Sequence, residues 1–138
     1  MTTAQDAAAE LVEEFGFFDN WMDRYQYIID MGKALPDIPE EWRTSEYRIE
    51  GCQSNVWIHH ELQENGQLRF DAMSDAAIVE GLIAVVMRLY NERSPAEILE
   101  TPTDTFKQLG LEQHLSPTRN NGLHAMLGHI YATAQANS

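Results

Sequence analysis

One cysteine in 138 residues excludes several chemistries at once. A single thiol forms no internal disulfide, makes no CxxC redox pair, and supplies too few thiolates for an iron–sulfur or structural zinc site. Cations are scarce as well, with nine Lys and Arg against 22 Asp and Glu and a formal charge of −13. Such a field repels phosphate backbones and anionic lipid, so neither nucleic acid nor membrane is expected as a direct partner. The acidity first serves solubility, and it also favours docking to a basic patch on another protein. Long apolar runs are missing too: the longest, AAIVEGLIAVVMRLY, is broken by Glu80 and Arg88, and residues 1–10 do not pass from a basic start into an apolar stretch. A soluble cytoplasmic protein is therefore expected. No Gly-rich phosphate loop, HxxxH, HExxH or acidic calcium-loop spacing occurs, so no metal is expected.

The residues that are present read as globular, 43% hydrophobic and 22% charged, with no linker-like or repeated segment. One domain over residues 1–138 is the expectation. Ala4 to Phe15 has a helical, acidic pattern, and a second helix is predicted from Asp19 as N-cap to Leu35, stopped by Pro36. PDIPEEWRTSE reads as a loop. From Val56 the period changes to alternation, which predicts a strand. Asn65-Gly66 then predicts a tight hairpin into QLRFDAM. Tyr47 to Glu50 forms a candidate preceding strand, and Trp57 reads as a sheet-core aromatic. Ser74 or Asp75 is a candidate cap for a helix to about Tyr90, and Ser94-Pro95 with Glu97 opens a short helix with a capping box. Ser116-Pro117 opens the last one. The fold class is α+β, an antiparallel sheet flanked by helices.

Cys52 lies in RIEGCQSNVWIHH, between Gly51 and Gln53-Ser54, at the apex of a predicted connection or bulge. A lone cysteine often behaves as a small buried hydrophobe. An apex glycine and polar neighbours argue instead for a presented thiol, where backbone N–H groups can stabilise a thiolate. No Lys or His adjoins it, and the reach of Arg48 depends on the turn. A Cys–His hydrolase would need one of His59, His60, His114, His124 or His129 beside the sulfur. His59 and His60 point to opposite faces of a strand, so at most one could serve. Arg119 stands at the opening of the last helix, where a positive charge opposes the helix dipole unless something else uses it.

Three separated segments, GCQSNVWI, SDAAIVEGLIAVV and LSPTRNNGLHAM, follow one another in the order and spacing of the SufE family, with YQYIIDMGKALP upstream. The chain resembles that family over most of its length. The resemblance implies a fold shared with IscU-type scaffolds. It implies that Cys52 accepts sulfane sulfur as a persulfide from a pyridoxal-phosphate-dependent cysteine desulfurase of the SufS type and passes it toward an iron–sulfur scaffold. Pyridoxal phosphate then belongs to the partner, and this chain, not an independent enzyme, binds no cofactor. The resemblance also implies that Arg119 and Asp75 lie near the thiol and that Gly51, Gln53 and Ser54 shape its loop. Tyr47 and Asn120 depart from the family pattern. The alternatives are a CsdE-type acceptor for a Csd-type desulfurase, from which HLSPTR leans away, and an adaptor that tunes the desulfurase without carrying sulfur. The chain is expected as a monomer or homodimer. With one cysteine it is a poor cluster scaffold.

Overall fold

The computed structural model describes residues 3–138. Helix α1, Ala4–Gly16, opens with a reciprocal capping box in which Thr3 and Asp6 each bond the other's backbone N–H. Helix α2 spans Trp21–Lys33, and its cap is Asn20, whose side chain accepts from Asp23 N–H, in place of the expected Asp19. The helix ends two residues before Leu35, with Ala34 as C-cap. The following loop contains a single 3-10 turn, Glu40–Trp42.

Strands β1, Val56–Leu62, and β2, Leu68–Ser74, pair antiparallel from Val56 opposite Ser74 to Leu62 opposite Leu68. The connection is a five-residue loop, longer than a two-residue turn: Gln63 N–H donates to Gln67 O, Asn65 accepts from Gln67 N–H, and Gly66 takes the positive φ. Val56, Ile58, Leu68, Phe70 and Ala72 are buried on the inner face, whereas Trp57 is on the other, only partly covered one. The expected strand Tyr47–Glu50 is reduced to one bridge, Arg48 opposite Trp57. A turn on Thr44 delivers the chain just before this point, and Gly51 with φ +90° bends it away just after, so no longer pairing is possible. At the other edge Asn91 completes the pairing with its side chain, donating to Phe70 O and accepting from Phe70 N–H.

Helix α3, Ala77–Tyr90, is covered on nearly every side, which is why its sequence is apolar around most of its circumference. Its cap position is Ala76; Ser74 Oγ accepts from Ala76 N–H, and Asp75 is used elsewhere. Helix α2 crosses α3 backbone to backbone. A Cβ added at Gly81 would lie 2.4 Å from Ile28 O, and one at Gly32 would lie 2.6 Å from Gly81 N. Helix α1 is fastened to α3 by Arg88, which donates to both carboxylate oxygens of Glu14 at 2.7 and 2.6 Å. Helices α4, Pro95–Glu100, α5, Asp104–Gln108, and α6, Leu111–His114, lead to the long α7, Pro117–Ala136. Ser94 caps α4 as expected, but the Glu97 carboxylate accepts from Ala4 N–H instead of closing a capping box. One continuous cluster of buried side chains includes residues of α1, α2, the sheet, α3 and α7. Among the described residues no helix is long and apolar enough to cross a membrane.

Candidate functional site: a thiol folded inward at a loop apex

The segment between the Arg48 bridge and β1 is a short loop with Cys52 near its apex. Its base is closed twice. Ile49 N–H donates to Val56 O at 2.9 Å across the two chain directions. Outside the backbone, Asp75 accepts from Asn55 N–H at 3.2 Å and from its Nδ2 at 2.8 Å, and Asn55 Oδ1 in turn accepts from Arg48 Nε at 2.6 Å. Asp75 is thus a support for the end of the loop, not the helix cap the sequence suggested. It does not line the cleft that holds the thiol.

The apex is arranged differently. Gly51 takes φ +90° and turns the following residue toward α7, and a Cβ there would lie 3.1 Å from Ala125 Cβ. Cys52 consequently points inward: the half-buried Sγ lies 3.6 Å from Gly122 O and acts as the donor. The sulfur therefore faces a carbonyl and not the backbone N–H groups that a loop apex can offer, and it is sheltered in the free protein. A carbonyl favours the protonated form, since a thiolate has no hydrogen to offer it. Burial pushes the Cys52 thiol up from its ordinary value, partly offset by the positive charge of Arg48.

The cleft around the sulfur has apolar walls from Val79 and Leu82 of α3 and Leu123 and Met126 of α7, and a polar rim of Gln53, Ser54 and Arg119. Its free volume is about 10 Å³, at the lower limit for holding one water molecule. Arg119 begins the second half of this rim. Its backbone N–H donates to the Ser116 cap, and its guanidinium Nη1 donates to Ser54 Oγ at 3.2 Å. An arginine in the first turn of α7, unfavourable by the helix dipole, is therefore used as a tie from α7 to the Cys52 loop.

The structure brings Cys52, Gln53, Ser54 and Arg119 to one cleft, places Gly51 at the turn that leads into it and Asp75 behind its base. Other contributors are poorly signalled by the sequence. Arg48 and Asn55 form the relay to Asp75, and their only sequence signal is their position flanking the loop. Gly122 reads merely as a helix-weakening residue, yet its carbonyl receives the thiol.

The histidines go elsewhere. His59 is stacked on Trp42 with ring centroids 3.7 Å apart, and His114 on Trp21 at 4.7 Å. Burial, and after it the neighbouring His59, lowers the pKa of His60, while His129 is lowered by burial and then by His60. No histidine lines the thiol cleft, so the base that a cysteine hydrolase requires is not in place. Among the described residues, no group of three or more His, Cys, Asp or Glu is arranged to hold a metal ion.

Comparisons with known proteins bear on the family and the fold. The family model SufE, described as an Fe-S metabolism associated domain, matches residues 9–134. An uncharacterized SufE-like protein of Rhizobium meliloti is 40% identical over 130 residues, covering 91% of this chain and 93% of its own. One from Rhizobium etli is 39% identical, covering 91% and 88%. The solution structure of a hypothetical protein from Thermus thermophilus superposes with a TM-score of 0.77 over 95% of each chain at 22% identity, a likeness of fold. The chain belongs to the SufE family, and with that to proteins with an accessory role in sulfur transfer.

Proposed function

We propose that this protein accepts sulfane sulfur on Cys52 from the persulfide of a pyridoxal-phosphate-dependent cysteine desulfurase of the SufS type and carries it toward iron–sulfur cluster assembly. In the transfer, the Cys52 thiolate attacks the outer sulfur of the partner's persulfide. A new S–S bond forms at Cys52, the old one breaks, and the partner's inner sulfur leaves as thiolate. The proton of the Cys52 thiol is released first, and sulfur keeps its overall oxidation level through the exchange. No second thiol in this chain is available to discharge the product as a disulfide.

The observation that carries this reading is the inward thiol at a loop apex. A sulfur carrier must hold its cargo away from oxidants and small thiols between two partners, then offer it on contact. Here the sulfur is held by one weak S–H···O contact at 3.6 Å, and the loop tip by the Arg119–Ser54 bond. Docking that engages Arg119 would release its bond to Ser54 and free the tip to turn outward about Gly51. The same step would remove the thiol from the burial that disfavours its anion.

Intact-protein mass spectrometry after incubation with desulfurase, pyridoxal phosphate and cysteine tests the proposal. The wild type should gain sulfur that a reductant removes, and Cys52→Ser should gain none. Stimulated desulfurase without sulfur on the wild type, even at early times, would transfer the role to a non-covalent adaptor. Rapid alkylation of Cys52 in the free protein, unchanged by the desulfurase, would contradict the sheltered thiol.

A further inference from the structure

Strand β2 has β1 on one side only, so its far side is a sheet edge. The direction of each backbone group on that edge follows from bonds already in place. Ile58 N–H donates to Tyr47 O, away from β2, so Ile58 and Ala72 opposite it are not bonded to each other. Leu68, Phe70 and Ala72 therefore turn their N–H and C=O groups outward. Leu68 is paired there by backbone, donating to Arg93 O at 2.8 Å and accepting from Glu92 N–H at 2.9 Å. Phe70 is paired by the Asn91 side chain, with bonds of 2.7 and 3.1 Å. For Ala72, next in line, the described residues supply neither a donor nor an acceptor.

Beside Ala72 lies an open hollow of about 200 Å³, lined also by Leu35, Pro36, Met87, Asn91 and Glu92. Leu35, Met87, Asn91 and Glu92 belong as well to a second hollow of about 730 Å³. The two make one groove along the edge, and neither shares a residue with the cleft of Cys52. Its charges are unequal. Arg69 pairs with Asp71 at 3.5 Å, Arg88 is held by Glu14, and Arg93 donates to Leu89 O and Arg88 O. Among the described residues no cation pairs with the Glu92 carboxylate. Glu92 also takes φ +57°, a conformation that favours glycine, and a glutamate kept at such a position points to use of its side chain.

We infer that this edge is the docking groove for an extended, basic segment of another protein. The segment adds to the sheet at Ala72 through two backbone hydrogen bonds, lays an apolar side chain on Leu35 and Met87, and brings a Lys or Arg to Glu92. An outward N–H and C=O on one residue are both answered by one residue of an added strand, which is why the occupant is extended polypeptide. A second copy of this chain would bring a further formal charge of −13 and a second Glu92, so the charge balance selects a cationic partner. The inference goes beyond the sulfur-acceptor reading, and its test does not involve sulfur transfer. A strand can sit in this groove while the thiol cleft is engaged elsewhere.

The test is selection from a random peptide library displayed on phage, with the intact protein immobilised, followed by fluorescence anisotropy of the enriched peptides. Enriched sequences should alternate apolar residues with Lys or Arg. Ala72→Pro, which removes an N–H that lies outside the β1–β2 ladder, should weaken binding by about fivefold, the size of one lost backbone bond. A peptide N-methylated at its pairing residue makes the same test without altering the protein and should weaken by a similar factor. Glu92→Gln should weaken binding by about two- to fivefold, and the difference should shrink with added salt. In hydrogen exchange of the free protein, the Ala72 amide should exchange faster than those of Leu68 and Phe70, and bound peptide should protect it.

No enrichment over the bare support would overturn the inference. So would enriched peptides that lack basic residues, or whose affinity N-methylation leaves unchanged. An Ala72 amide as protected as that of Phe70 in the free protein would show that the edge is already satisfied. A concentration-dependent dimer in sedimentation, lost in Ala72→Pro, would give the groove to a second copy of this chain instead.

Discussion

Glycines build two seams of this molecule, and they do so to opposite ends. Where α2 crosses α3, a Cβ at Gly81 would be 2.4 Å from Ile28 O, and one at Gly32 would be 2.6 Å from Gly81 N. The obstacles are backbone atoms, which cannot rotate aside. Where the Cys52 loop meets α7, the corresponding distances are 3.1 Å from Gly51 to Ala125 Cβ and 3.7 Å from Gly122 to Cys52 Sγ. The obstacles there are side-chain atoms at longer range, one a fixed alanine Cβ and the other a sulfur that can rotate. The first seam joins two helices through their backbones; the second brings a loop against a helix through a thiol and a methyl group. A close approach gives rigidity when backbone meets backbone, and gives only a resting place when the far side is a single sulfur.

Gly81→Ala is the strongest way to break that comparison. The crossing should be forced apart, and a loss of about 3 kcal/mol or more is expected in urea unfolding, at the upper end for overpacking. A loss under about 0.5 kcal/mol, the size of an ordinary surface substitution, would mean that the helices can slide, and the seam would not be the rigid one. Arg88→Met asks whether the ion pair to α1 belongs to the same rigid body. The Glu14–Arg88 bond is bidentate and about a third exposed on each side, so a loss of about 1–2 kcal/mol is expected at neutral pH.

The pH dependence sharpens that result. Arg88, the largest cause, holds the Glu14 carboxyl below its usual range, with burial acting in the other direction. The folded form therefore binds this proton less readily than the unfolded chain. The stabilisation is fully present above the unfolded value of about 4.5, and it is lost as pH falls through the lower folded value. Arg88→Met should flatten that part of the acid unfolding curve. An unchanged curve would show that other carboxylates dominate.

Gly122→Ala is the smallest effect and probes the other seam. A methyl group at ordinary contact distance from sulfur is tolerated sterically, and replacing a glycine within a helix gains up to about 1 kcal/mol. Thermal unfolding should shift upward or stay in place. A marked destabilisation would reveal that the Cys52 seam is as unforgiving as the α2–α3 crossing.

Helices α1, α2, α3, α4 and α7 and the β1–β2 hairpin were legible because each carries its own local signals: a period of 3.6 or 2, a capping side chain, a Ser-Pro opening. The expectations failed at the choice between adjacent capping candidates. Asp19 and Asn20 both carry a side-chain oxygen that can cap, and it is Asn20 that has the extended backbone of a cap and accepts from Asp23 N–H. Asp75 could cap α3 locally, but Asn55, twenty residues earlier, takes its carboxylate instead. The short helices α5 and α6 have too few turns to show a period. The backbone contact of Gly32 with Gly81 leaves no local trace.

The functional site divides along the same line. The sequence by itself determined that one thiol is present, that a glycine precedes it at a break between extended segments, and that no second cysteine stands beside it. These are facts of composition and local backbone freedom. Tertiary structure decided which way the sulfur faces, which carbonyl it meets, that Arg119 reaches Ser54, and that Arg48 is tied through Asn55 to Asp75. Each of those depends on residues far apart in the chain being brought within a few ångströms, and hydrogen bonding and electrostatics act over that distance and not along the sequence.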